Sequence, residues 1–271
     1  MSSSQLDARS LQLRRTIIEM YATANRGHIG SAFSLVEILR VLYDDILRYD
    51  PANPKWPDRD RFILSKGHGC LALYAVLADK GFFPKTELRL FCRKGGILGG
   101  HPEYGRIPGV EASTGSLGHG LPIGIGFAIH AQRARAAHRV FVVVSDGEAN
   151  EGSTWEALLA ARKHRLSNLT VLVDYDKMQS YGATTEVLDL EPFSDKWRAF
   201  GFAVEEVDGH DVPALREVLS RVPLQPDKPS AIVCHTIKGR GVSFVEHNPH
   251  WHHKGPPTEA ELRGLFAELG A

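Results

Sequence analysis

Asp146 and Asp176 are the residues whose types and surroundings most directly promise chemistry. The stretch SDGEANEGSTWEA (residues 145–157) sets Asp146 directly after an apolar run, RVFVVVS, and next to Gly147, where the backbone can approach a ligand closely. A second apolar run, NLTVLVD, is followed by YDKMQ, which carries Asp176. If the two runs are neighbouring strands, both aspartates stand at strand ends. With a backbone carbonyl they form a half-shell for a hard cation such as Mg²⁺ or Ca²⁺, completed by water and phosphate oxygens. Aspartate also ends strands in ordinary turns, and spacing alone leaves both readings open. The chain carries 13 histidines, and His28, His68, His101 and His119 sit in Gly-rich or Pro-rich loops rather than on apolar faces. More crowd the stretch EHNPHWHHKG, whose spacing lacks the helical pair of a transition-metal site. Histidine near neutrality can donate, accept or shuttle a proton, although a loop histidine bonded to backbone needs no such role.

The elements that must position these residues follow from periodicity. Residues 5–25 read as an amphipathic helix with Leu13, Ile17, Met20 and Ala24 on one stripe. Ser34 and Glu37 read as a capping box opening the next helix. RFILS is a short strand leading into KGHG, and LALYAVLADKG a helix closed by Gly81. Residues 92–124 are loop-like, and a helix then runs to about Ala137. RVFVVVS (139–145) and NLTVLVD (168–174) are apolar on both faces, as central parallel strands are. The helix between them, with Ser153 and Glu156 as a second capping box, completes a right-handed βαβ unit. GFAVEEVD with the helix from Val212, and SAIVCHT (230–236) with TEAELRGLFAELG, extend the alternation. The pattern predicts one α/β domain over residues 1–271, a doubly wound parallel sheet flanked by helices, with ligands at the carboxyl ends of its strands.

Lys+Arg and Asp+Glu both number 32, so no charge excess points to nucleic acid or a membrane surface. Three widely spaced cysteines without a CxxC argue against a disulfide framework or zinc-thiolate site and fit reduced thiols in the cytoplasm. No apolar run is long enough for a membrane span. GHGLPIG misses the dinucleotide pattern, lacks a preceding strand and carries Pro122, which excludes a nicotinamide site on this motif.

The segment from Ser145 to Gln179 closely resembles the thiamine diphosphate fingerprint, which opens GDG and closes about thirty residues later with an Asn. GHIGSAFSLVEIL, DRFILSKGHGCLALYAVLA, LGGHPE, PGVEASTGSLGHGLPIGIGFA and TIKGRGVSFVEHNPHWHHKGPP follow in the order found in the N-terminal half of the transketolase family. The resemblance implies a thiamine-diphosphate-binding (PP) fold. It implies Asp146 and Asp176 as metal ligands, with Met178 contributing its carbonyl, and Gly147 and His68 as diphosphate contacts. Gly115, Ser116 and Leu117 then lie against the cofactor's rings. His28, His101 and His252 surround the first hydroxyls and the carbonyl of a ketose, His252 also touching the diphosphate. Glu151 and Glu156 match acidic residues that face the partner protomer, and Glu156 already has a sufficient role as a cap.

Three departures stand out. Ser145 replaces the first glycine of the fingerprint and is strained if that position needs a positive φ. His119 replaces a glutamine. Asp176 replaces the usual neutral Asn, and one added charge ~5 Å from a diphosphate costs roughly 3 kcal/mol at an effective dielectric near 20. Weaker cofactor affinity offset by tighter metal binding is the expectation.

In the family a two-carbon glycolaldehyde unit passes from a ketose to an aldose, with thiamine diphosphate as the electron sink. The activating Glu and the basic residues for the sugar phosphate lie in a pyrimidine-binding domain, and the sequence ends at Ala271 before that domain begins. The resemblance therefore implies the N-terminal subunit of a split transketolase. It would be inactive alone and completed by a C-terminal subunit carrying the pyrimidine-binding and C-terminal domains, in an α2β2 assembly. Its motifs SKGH and WHHK favour this over the oxidative decarboxylase subunits. Two alternatives stay open: part of another thiamine-diphosphate ketol-transfer or synthase enzyme acting on an unusual sugar, or a non-catalytic scaffold retaining the fold.

Overall fold

The computed structural model describes residues 6–270; Gln5, at the start of the predicted first helix, and Ala271 lie outside the described residues. Helix α1 (Ala8–Ala24) begins where Asp7 accepts a hydrogen bond from the Ser10 N–H, and ends at Asn25 in the left-handed conformation. After it come α2 (Ile29–Phe33), α3 (Val36–Val41) with a π-helical turn over Leu42–Ile46, β1 (Arg61–Leu64) and α4 (Cys70–Asp79). Next are α5 (Gly120–Ala134), β2 (Val140–Ser145), α6 (Gly152–Lys163), β3 (Leu169–Tyr175), α7 (Thr184–Val187) and α8 (Phe193–Ala199). The chain closes with β4 (Ala203–Asp208), α9 (Val212–Ser220), β5 (Ser230–His235) and α10 (Glu259–Glu268).

The five strands form one parallel sheet in the order β1-β2-β3-β5-β4. Every residue of β2 and β3 is buried, which is why both read as unbroken apolar runs. Alternation assigns their side chains to two cores. Phe141, Val143 and Leu172 face the layer of α1, α3, α4 and α9. Val142, Val144, Val171 and Val173 face the layer of α5, α6 and α8. Helices on both faces make the sheet doubly wound, as the sequence predicts. Helix α5 lies close on the sheet because Gly124 has no side chain; a Cβ there would stand 2.5 Å from Val142 Cγ2. No helix among the described residues is long and apolar enough to cross a membrane.

Both predicted capping boxes are absent. Helix α3 starts after Leu35 with no side-chain cap, and Ser34 Oγ instead donates to Asp174 Oδ2 at 2.7 Å. Helix α6 starts after Glu151, also without a side-chain cap; Ser153 Oγ donates to the Gly118 carbonyl and Glu156 is exposed. In each case the N-cap position falls on another residue, Leu35 for α3 and Glu151 for α6, and the serine hydroxyl is left to donate elsewhere. The capping box that does form, Thr258 with Glu261, opens α10. The Gly-rich stretch read as loop to residue 124 is helical from Gly120, and that helix ends at Ala134.

Glu37, freed from capping, is fully buried and takes two hydrogen bonds from Arg14, at 2.6 and 2.9 Å. His210 Nδ1 lies 2.8 Å from its other face, and His210 Nε2 accepts from the Ile237 N–H, so the ring proton is on Nδ1 and points at Glu37. Burial raises the Glu37 pKa, but Arg14 and His210 outweigh it and hold the carboxyl far below its usual range. Arg14→Met leaves this carboxylate buried and short of its cation. It should cost about 3–5 kcal/mol in urea unfolding, with much of the loss recovered in the Arg14→Met/Glu37→Leu double variant.

Candidate active site

The loops after β1, β2, β3 and β5 converge at one edge of the sheet, and the predicted site residues hang from them. Strands β2 and β3 pair in the register Ser145 with Asp174, so Asp146 and Asp176 emerge side by side. Asp146 accepts hydrogen bonds from the N–H groups of Gly147 (2.7 Å) and Lys177 (2.6 Å). Asp176 accepts from the Met178 N–H at 2.9 Å and from the Lys238 ammonium at 2.6 Å. The same ammonium donates to the Met178 carbonyl at 2.9 Å. Burial, and then the charge of Asp176, push the Asp146 pKa up to about 8. Two buried carboxylates side by side, with a carbonyl beside them, are a hard-oxygen donor set that a divalent cation suits. Among the described residues no three His, Cys, Asp or Glu side chains gather as a metal cluster. A cation here would rest on two carboxylates, a carbonyl and oxygens from outside the chain.

Lys238 lies within TIKGRG, and nothing in that linear pattern marks it for a role. The same holds for Lys66 within SKGH. Lys66 is fully buried and bonded to Asp174, which also accepts from Ser34 Oγ and Thr236 Oγ1. Burial raises the Asp174 pKa, yet Lys66 and the two hydroxyls outweigh it and keep the carboxyl below its ordinary value. Glu148 is a third residue that sequence reasoning misses. It is buried at 0% exposure and accepts from Ser65 Oγ, the Gly118 N–H (2.8 Å) and the Ser145 N–H (3.2 Å). That carboxylate fastens the TGSLG loop to the end of β2. Ser145 closes β2 without a positive φ, so the conditional strain does not arise; its hydroxyl accepts from the Glu148 N–H.

A cavity of about 190 Å³ opens beside this edge, lined among others by His28, His68, Gly115, Leu117, Gly147, Met178, Lys238 and His252. Ser116 is exposed and stands outside that lining. Gly147 carries no Cβ there; one would meet Gln179 at 3.0 Å. His28 is the hub of the imidazoles, with ring centroids 5.3 Å from His68, 6.4 Å from His101, 5.5 Å from His252 and 4.5 Å from His253. Burial, then His252, His253 and His101, push the His28 pKa down to about 3. Burial, then Lys238 and Lys66, lower His252 to about 4, and His68 lies well below its ordinary value for similar reasons. Burial thus pushes His28, His68 and His252 toward the neutral form. His252 Nδ1 is buried and has no hydrogen-bond partner among the described residues, an acceptor or donor left open for a ligand. His101 lines a second cavity on the far side of His28, together with His253, which by sequence reads as an ordinary loop histidine. His119 is exposed and bonds the Leu117 carbonyl, and His250 is exposed in a turn closed by Asn248.

Residues 8–271 match the family described as "Transketolase, thiamine diphosphate binding domain". An apulose-4-phosphate transketolase subunit from Actinobacillus succinogenes is 40% identical over 265 residues, covering 97% of this chain and 95% of the relative. A 6-deoxy-6-sulfo-D-fructose transketolase subunit from a Clostridium species is 41% identical over 271 residues, covering 99% and 98%. Among solved structures, a transketolase from Leishmania mexicana superposes with a TM-score of 0.91 at 30% identity, covering 98% of this chain but 42% of the longer one. The chain thus spans nearly all of those two relatives but under half of the Leishmania enzyme. Taken with the sheet edge and its paired aspartates, these likenesses establish that the chain belongs to the transketolase family.

Proposed function

We propose that this chain is one thiamine-diphosphate-binding (PP) domain, the N-terminal subunit of a split transketolase. It transfers a two-carbon ketol unit from a ketose to an aldose together with a partner subunit that carries the pyrimidine-binding domain and its Glu. The observation that carries the reading is the convergence of Asp146, Asp176 and the Met178 carbonyl beside a cavity lined by neutral histidines and Lys238. Near-complete coverage of two relatives named as transketolase subunits supports the need for a partner, and an α2β2 arrangement and a cytoplasmic location belong to the same proposal.

Bound thiamine diphosphate would supply the electron sink for breaking the ketose C2–C3 bond. Asp146, Asp176 and Met178 would hold Mg²⁺ or Ca²⁺ against its diphosphate, with Gly147 admitting the phosphate oxygens and His68 and His252 bonding them. Gly115, Ser116 and Leu117 would flank the rings. His28, His101 and His252 each present a donor and an acceptor to the sugar's hydroxyls and carbonyl because they are uncharged. The extra negative charge of Asp176 has a partner in Lys238, which offsets the cost expected from the sequence. Relatives named for apulose 4-phosphate and for a sulfofructose point to an unusual ketose as donor.

Calorimetry should show thiamine diphosphate binding that requires Mg²⁺ and is lost in Asp146→Ala. The chain alone should show no ketol transfer, with turnover restored once the partner is added; robust turnover without a partner would overturn the split-enzyme reading. With Lys238 offsetting the charge, Asp176→Asn should gain cofactor affinity by less than about tenfold, whereas Lys238→Met should lose about tenfold or more. A gain near one hundredfold in Asp176→Asn would show the charge to be uncompensated.

The histidines give a pH dependence of definite sign. In the unfolded chain they take up protons near pH 6.5, while folded His28 and His252 resist until about 3 and 4. The histidines' contribution to stability is therefore fully present above about pH 6.5 and is lost as pH drops toward 4 and 3, while Asp146, raised to about 8, contributes with the opposite sign. Urea unfolding at stepped pH should show this loss, and His28→Gln should flatten part of it.

A further inference from the structure

His28 is a partition between two cavities, and the proposed cofactor chemistry occupies one side. The other side is a cavity of about 310 Å³ whose walls include Arg26, His28, Phe91, Cys92, His101 and His253. Its shape is set by a short antiparallel bridge in which Gly27 and Lys254 exchange N–H···O=C bonds of 3.3 Å. That bridge sets residues 26–28 alongside 253–255. His253 therefore faces His28, with ring centroids 4.5 Å apart. Gly27 is required at the crossing, because its φ is +151° and a Cβ would lie 2.9 Å from Leu71.

The charge of this cavity is simple. Among the described residues no carboxylate lines it. His28 and His101 are both pushed toward the neutral form, burial being the largest cause. Arg26 is exposed to the cavity, and its guanidinium makes no hydrogen bond or ion pair among the described residues. Its field reaches the Cys92 thiol, opposing the upward push of burial there. An unpaired fork of N–H donors above a hollow that no carboxylate lines is matched by an oxyanion. The hollow begins at His28 and His101, where the carbonyl end of a ketose would lie, and its volume accommodates the rest of a short sugar.

We propose that Arg26 is a specificity-determining residue that binds an anionic terminal group, such as a phosphate, at the far end of an open-chain ketose. His253 is the positioning residue that holds His28 against the bound chain. This rests on the ketol-transfer reading for the identity of the ligand, and it gives this chain a share in selecting the sugar, a task the family resemblance alone leaves to the partner.

The test begins without cofactor or partner. The full chain, with isotope-labelled histidine rings, is titrated with inorganic phosphate, and the signals of His28, His101 and His253 are followed. A saturable shift is expected, weakened about tenfold or more in Arg26→Gln and partly kept in Arg26→Lys. No saturable shift, or equal shifts in the native chain and Arg26→Gln, overturns the proposal. In the enzyme reconstituted with its partner, Arg26→Gln should raise KM for fructose 6-phosphate more than it lowers kcat. It should also cut the preference for fructose 6-phosphate over fructose about tenfold. An unchanged preference overturns the proposal. Loss of thiamine diphosphate binding by the native chain would instead defeat the ketol-transfer reading, while the phosphate titration still decides the role of Arg26.

Discussion

The site depends on one buried carboxylate that is not itself a predicted ligand. Asp174, next to the end of the central strand β3, gathers Ser34 from the corner of α2 and α3, Lys66 from the loop after β1, and Thr236 from the loop after β5. A functional side chain hangs close to each of these anchors: His28 just ahead of α2, His68 beyond Lys66, Lys238 beyond Thr236 and Asp176 beyond Asp174 itself. Burying an ion pair carries a desolvation cost that its attraction does little more than cancel. Its value here is positional, since moving Lys66 or Asp174 would leave a buried charge without its counterpart, and moving either hydroxyl would strip the carboxylate of a donor. The geometry of the sheet edge is therefore set before any ligand arrives.

Burial sets the state of the histidines, and the lysines of the same ion pairs reinforce it. Lys66 and Lys238 raise the potential of the cavity, and burial withdraws water from it, so both effects disfavour imidazolium. A protonated ring would offer two donors and no acceptor, whereas a neutral ring offers one of each. For a substrate whose hydroxyls both donate and accept, the neutral ring is the more adaptable partner. The cations that neutralise Asp174 and Asp176 thereby also reinforce, after burial, the neutral state of His68 and His252.

Much of this fold is legible in the sequence. The β-branched runs of β2 and β3 have no amphipathic alternation, which locates a doubly covered parallel sheet and hence the ligand edge at Asp146 and Asp176. Local signals fare worse where tertiary partners intervene. Ser34 and Ser153 have the spacing of caps, but Asp174 and the Gly118 carbonyl claim their hydroxyls. The lysines are invisible because nothing in a linear pattern marks a lysine as buried; Lys66 and Lys238 become so only when strand ends bring carboxylates to them. His253 escapes notice for a similar reason, since its partner His28 is reached through a two-residue bridge between distant loops.

The two cavities that share His28 also solve an electrostatic problem. A diphosphate and an anionic sugar repel each other, and each needs its own cation. Lys238 and Lys66 lie on the cofactor side and Arg26 on the other, with uncharged imidazoles between them. Were the partition itself cationic, it would attract both anions to the same place and let the sugar's charged end compete for the diphosphate position. On the proposed reading, a neutral partition would keep the two attractions apart and directional, so that a ketose would enter with its uncharged carbonyl end toward the cofactor. On that reading the depressed basicity of His28 would act as a rule of substrate orientation, with charges placed on either side of it.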